Sequence, residues 1–204
     1  MEEVHDEKDL GVIVQENLKV DRQVISAVKK ANRVLGMINK TFVNKNQEIM
    51  VKLYKSLVRP HLEYGIQAWR PHFEKDKNAL EKVQRRMTRM IADLKDLPYE
   101  SRLKRIGITT LETRRLRGDL IEMFKIIKGK EDIEETYFNR RIGNTRGHEF
   151  KLYKGSVRTD IRKFSFFQRS VNEWNKLTEK VLHQENVDGF KRELDSWMSS
   201  RGLI

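Results

Sequence analysis

The sequence predicts a mainly α-helical chain, on three observations. Three prolines and eleven glycines in 204 residues leave few forced breaks, which favours long helices. Apolar residues recur at spacings of three and four, as in Val24, Val28, Ala31, Leu35 and Ile38, the period of one helix face. Charged residues make up 35% of the chain, against roughly 25% in an average domain, and wide solvated helix faces accommodate such an excess.

Taken in order, Asp9-Leu-Gly-Val-Ile-Val14 is β-branched and short, and reads as a single strand. A lone strand has no neighbour for its backbone donors and acceptors, so the segment predicts sheet partners lying before Met1. Asp21 is read as the N-cap of a first helix, whose Lys29, Lys30, Arg33 and Lys40 fall mainly on faces away from the apolar stripe. A second helix is expected from about Asn46, carrying Ile49, Met50, Leu53, Tyr54 and Leu57, and Pro60 ends or kinks it after Arg59. His61 to Trp69 predicts a short helix.

A third long helix is expected from about Asp76 to Asp93. Leu80, Val83, Met87, Met90 and Ile91 line one side, and Lys82, Arg85, Arg86 and Arg89 form a basic stripe on the other. A short helix from Pro98 to Ile106 closes at Gly107. Thr110 precedes a further helix with an apolar seam of Leu116, Leu120, Phe124 and Ile127, stopped by Gly129. Arg114, Arg115 and Arg117 crowd its first two turns, where each cation opposes the macrodipole by a few tenths of a kcal/mol. That placement points to a use other than helix stability. Gly143, Gly147 and Gly155 mark turns, Phe150 to Tyr153 reads as a short strand, and two helices, Phe166 to Leu177 and Val187 to Met198, end the chain. Composition places a domain boundary between Lys128 and Arg141.

Much chemistry is excluded. Without cysteine there is neither a disulfide nor a thiolate metal site. The start lacks the profile of a signal peptide, and no run approaches the roughly 20 apolar residues of a membrane span. An intracellular location, nuclear or cytoplasmic, is therefore expected, with no membrane partner. The paired aspartates of a two-metal polymerase or nuclease are missing, the five histidines are scattered, and no phosphate-binding glycine loop or G-x-S-x-G motif occurs. No catalytic residue, metal, cofactor or small-molecule substrate is expected.

What remains is positive charge, formally +12 over the chain. From Asn139 to Arg169, Arg140, Arg141, Arg146, Lys151, Lys154, Arg158, Arg162, Lys163 and Arg169 face only Glu149 and Asp160, with Phe150, Tyr153, Phe164, Phe166 and Phe167 interleaved. Cations beside flat aromatic faces suit a polyanion whose phosphates need neutralising and whose bases need stacking platforms. Phe150 and Tyr153 are the stacking candidates. Phe167 and Trp174, at helical spacing, belong to a core with Trp69 and Trp197.

Six strings, in order, carry a resemblance. They are Lys8-Asp-Leu-Gly-Val-Ile-Val14, Leu57-Val-Arg-Pro-His-Leu-Glu-Tyr64 with Trp69 following, Leu80-Glu-Lys-Val-Gln-Arg-Arg86, Arg114-Arg-Leu-Arg-Gly-Asp-Leu-Ile121, Thr145-Arg-Gly-His148, and Phe167 with Val171-Asn-Glu-Trp-Asn-Lys-Leu177. Together they resemble the C-terminal end of a LINE-type reverse transcriptase, the RNA-directed DNA polymerase of a non-LTR retrotransposon. The resemblance implies a late palm strand with a primer-grip-like Leu10 and Gly11 in residues 1–20, and a thumb-like helical bundle in residues 21–93. Connecting helices over 94–138 and a basic C-terminal region over 139–204 complete it. The family's catalytic aspartates have no counterpart here, so polymerase activity is not implied.

The expected function is a non-catalytic grip on the backbone of RNA or DNA, without base readout, serving the rest of a polymerase. The alternatives are a helical protein-interaction module, motivated by the Leu10 to Val14 strand and a Met87–Met90 seam, and a non-functional relic of a mobile element.

Overall fold

The computed structural model describes residues 6–131, 133 and 148–204. It is mainly helical, with one two-stranded antiparallel sheet near its start. The chain divides into two compact units, Met1–Glu112 and Thr113–Ile204. Leu111 belongs to the core of the first unit, whereas Leu120, Met123 and Phe124 belong to that of the second. The division therefore precedes the Lys128 to Arg141 boundary that composition suggests.

In the first unit the expected single strand is a hairpin. Strand β1 (Asp6–Asp9) pairs with β2 (Val12–Gln15), Asp6 opposite Gln15 and Asp9 opposite Val12. Leu10 and Gly11 form the turn with φ of 43° and 87°, the positive values that a tight two-residue hairpin turn demands. The charged run Asp6-Glu-Lys-Asp9 has low strand propensity, so only half of the hairpin is legible in the sequence. The strand thus finds its backbone partner within the chain.

Helix α1 (Asp21–Thr41) buries Gln23, Val24, Ala27, Ala31, Leu35 and Ile38; Val20 caps it, and Asp21 is its first residue. Asn46 caps α2 (Gln47–Leu53), its Oδ1 accepting from the Ile49 N–H at 2.8 Å. The chain then makes one wide turn, Tyr54–Val58, and continues as α3 (Arg59–Glu63) with Pro60 in its first turn. Proline lacks the N–H that a helix interior needs, and a single π turn just upstream absorbs the mismatch without ending the helix.

Gly65, at φ 62°, separates α3 from α4 (Ile66–Trp69). Helix α5 (Glu74–Arg89), a 3₁₀ turn at Ala92–Leu94 and α6 (Tyr99–Ile106) complete this unit. Its core includes Leu35, Tyr54, Leu62, Trp69, Leu80, Met87 and Ile91. Met87 is wholly buried and Met90 packs partly buried against the same core. The exposed methionine seam that motivated a protein-docking reading is therefore not present.

Gly107, at φ 63°, ends α6 as expected, with Ile108 N–H bonded to Leu103 O at 3.1 Å and Gly107 N–H to Lys104 O at 3.3 Å. These are the paired bonds of a glycine-terminated helix.

The second unit holds most of α7 (Leu111–Ile127), then α8 (Asp160–Lys163), α9 (Phe166–Trp174), α10 (Glu179–Leu182) and α11 (Val187–Ser200). Its core gathers Leu120, Phe124, Leu152, Trp174, Phe190 and Leu194. Phe124 and Phe190 stack with ring centres 4.1 Å apart. Trp69, Trp174 and Trp197 are all buried, matching the sequence reading.

Among the described residues Phe150 to Tyr153 forms no strand element, only a single bridge position at Leu152. Instead the Asn175 side chain bonds both the N–H and the C=O of Leu152 at 2.9 Å, doing for one residue what a neighbouring strand would do.

Candidate nucleic-acid interface

The stripe on α5 arises from helix geometry. Leu80, Val83, Gln84 and Met87 turn into the core, which forces Lys82, Arg85, Arg86 and Arg89 outward, and all four are exposed. None forms an ion pair with a carboxylate among the described residues. Glu81, the one acid in this stretch, is turned away from the stripe. It accepts from the Tyr99 hydroxyl, from Gln84 Nε2 at 3.1 Å and from the Leu111 N–H at 3.0 Å.

Gln84, wholly buried, extends this network. Its Oε1 accepts from the Tyr54 hydroxyl at 2.6 Å, and its Nε2 donates to the Tyr99 hydroxyl at 2.9 Å and to Thr109 O at 3.0 Å. Burial first and Glu81 second push the Tyr99 phenol far up, which keeps it a donor. Occupied in this way, Glu81 leaves the positive face of α5 uncompensated among the described residues.

Helix α1 widens that face. Arg86 Nη1 donates to Asn32 Oδ1 at 3.2 Å, and exposed Lys29 and Arg33 lie within one turn of Asn32, with exposed Lys40 further along. The two helices run in the same sense. Asp76 near the start of α5 is held up by burial and also feels Asp21 at the start of α1, while Arg86, ten residues on, meets Asn32. Two adjacent helices therefore expose cations along a shared direction, the arrangement that tracks a line of phosphates. The α1 cations were not among the sequence candidates because periodicity says which face they occupy but not what packs beside it.

Arg114, Arg115 and Arg117 do not form a surface cluster. Arg115 is 2% exposed, Arg114 is half-buried, and Arg117 bonds Asp195 of α11 in bidentate fashion, Nε to Oδ1 at 2.6 Å and Nη2 to Oδ2 at 2.9 Å. Arg169 is likewise committed. It grips the buried Asp119 through two bonds and donates to Phe164 O at 3.2 Å. Arg117 and Arg169 compensate acids within the second unit, so the dipole-opposing position of Arg117 has a structural reason.

Of the remaining basic residues, Lys154, Arg158, Arg162 and Lys163 are exposed and Lys151 is half-buried. Arg140, Arg141 and Arg146 lie outside the described residues. Tyr153 is 58% exposed and keeps an open ring. Phe150 does not, because Lys128 Nζ sits 4.5 Å from its ring centre and His183 meets its ring from another direction, the two centres 5.7 Å apart.

Leu10 and Gly11 form the exposed tip of the hairpin. The Tyr64 hydroxyl donates to Leu10 O at 2.9 Å, and Tyr64 O accepts from Trp69 Nε1 at 2.6 Å. The tip is thereby fixed to the α3–α4 corner. Among the described residues no group of three or more His, Asp or Glu side chains could hold a metal, and no helix is long and apolar enough to cross a membrane.

Comparison with protein-family models, with curated proteins and with solved structures finds no match for this chain.

Proposed function

We propose that the chain is a non-catalytic nucleic-acid-binding segment that holds RNA or DNA by its phosphates. The observation that carries this reading is the face of Lys82, Arg85, Arg86 and Arg89 on α5, which meets no carboxylate among the described residues and is continued by Lys29, Arg33 and Lys40 on α1. Four lysines or arginines spaced along a helix match phosphates by charge, not by base identity. The resemblance to the thumb and C-terminal region of a LINE-type reverse transcriptase agrees with that surface. On this reading the chain serves a polymerase whose aspartates it does not itself carry. Exposed Lys154, Arg158, Arg162 and Lys163, on the segment that also carries the open ring of Tyr153, supply a second contact suited to single strands.

The test is fluorescence anisotropy of the whole chain with labelled RNA and DNA duplexes across a salt series. Four phosphate contacts give a slope of log affinity on log salt of about −3.6. A flat titration would sink the proposal.

A further inference from the structure

Arg102 on α6 is 2% exposed, yet no carboxylate among the described residues pairs with it. Its Nη1 reaches Arg85 O at 3.4 Å, and its Nε finds no acceptor. The guanidinium carbons of Arg85 and Arg102 lie 4.8 and 5.4 Å from the centre of the same Tyr99 ring. Arg89, exposed at the end of α5, is close enough to repel Arg102, and Glu100 offers only a distant attraction.

A buried cation without an anion is unfavourable, because the solvation it gives up is not replaced. Burial, then Arg89 and Arg85, accordingly push the Arg102 guanidinium down. The face of Tyr99 offsets part of this, but its hydroxyl already donates to Glu81.

We infer that Arg85, Arg89 and Arg102, arranged beside Tyr99, form a phosphate subsite in which a single phosphate group bridges the exposed arginines and the edge of the buried one. Guanidinium forks match phosphate oxygens in pairs, so three around one position select a tetrahedral oxyanion over chloride. The source of that phosphate rests on the nucleic-acid reading above, and there the subsite fixes where along α5 the backbone is held.

Thermal unfolding of the full chain in inorganic phosphate, against sodium chloride of equal ionic strength, tests this. It is run on the parent and on Arg102→Met and Arg85→Gln. Phosphate should raise the parent Tm by about 3 °C or more near saturation, and both variants should lose most of that rise. Because phosphate also stabilises proteins generally by exclusion, the difference between parent and variants is the measurement. Without phosphate, Arg102→Met should match or exceed the parent in Tm, since it removes an unpaired buried charge. Arg85→Gln, at an exposed position, covers the case in which Arg102→Met misfolds.

An equal phosphate shift in parent and variants, or no shift in the parent, overturns the subsite. Duplex binding by anisotropy separates the two proposals. Binding with no phosphate shift overturns the subsite and leaves the nucleic-acid reading standing, whereas a variant-sensitive shift without duplex binding does the reverse.

Discussion

Arg169 holds Asp119 through two parallel hydrogen bonds, Nε to Oδ2 at 2.9 Å and Nη2 to Oδ1 at 3.0 Å, with the Asp119 side chain fully buried. The pair ties α9 to α7 across fifty residues of sequence. Removing one partner strands a buried charge, a loss of roughly 3–5 kcal/mol. Arg169→Ala and Asp119→Ala should each lower the unfolding free energy of the second unit by that amount, read in urea titration as a lower midpoint. An Arg169→Met, Asp119→Leu double variant should recover much of it, because neither charge then remains unpaired.

The exposed stripe should behave in the opposite way. Replacing Arg85, Arg86 and Arg89 with alanine removes surface charge and little packing, so unfolding should change by about 0.5 kcal/mol per site or less. Duplex affinity should fall evenly across unrelated sequences, and the salt slope should shrink by about 0.9 per lost phosphate contact. A changed sequence preference would contradict backbone tracking.

The polar network of the first unit is all-or-none. Tyr99→Phe removes the donor to Glu81 and an acceptor of Gln84 while the ring remains. Leaving buried partners unsatisfied costs about 1–3 kcal/mol. Differential scanning calorimetry should register this as a lower Tm, and Gln84→Leu, which breaks more bonds at a wholly buried position, should lower it further.

His148 gives the second unit a pH dependence. It is 4% exposed, and burial followed by Lys151 holds its pKa below the usual 6.5, outweighing the backbone of Asn175 and Trp174, which pulls it up. The unfolded chain therefore takes up this proton more readily than the folded one, so stability rises with pH. It is fully present above about 6.5 and is lost as pH falls from there toward the lowered folded value. Urea midpoints at pH 7.5 and 5.5 should differ in this direction, and His148→Phe should narrow the gap.

The hairpin turn offers a gain. Leu10 stands at φ 43° with its side chain 84% exposed, so it tolerates a left-handed backbone without packing in return. Asn is favoured ahead of Gly in such a turn. Leu10→Asn should raise stability by roughly 0.5–1 kcal/mol, read as a higher Tm.

Helix periods, the start of α2 near Asn46 and the glycine stops at 107 and 129 were legible in the sequence because they rest on local rules, such as a positive φ at a helix end; Asp21, read as a cap, is instead the first residue of α1. The stripe on α5 was legible for the same reason, since a buried face at Leu80, Val83 and Met87 dictates the opposite one. The hairpin was half legible, because Asp6 to Asp9 pairs through its backbone and carries no side-chain signal.

Charge gave the sign of the surface but not its membership. Whether an arginine meets solvent or a buried acid depends on residues far away in sequence: Asp195 for Arg117, Asp119 for Arg169 and, among the described residues, no carboxylate for Arg102. The sequence by itself determined a helical, cation-rich chain. Only the tertiary structure decided which cations are spent inside, by bringing acids from distant helices to some arginines, and which stay outward, by turning Glu81 into the core.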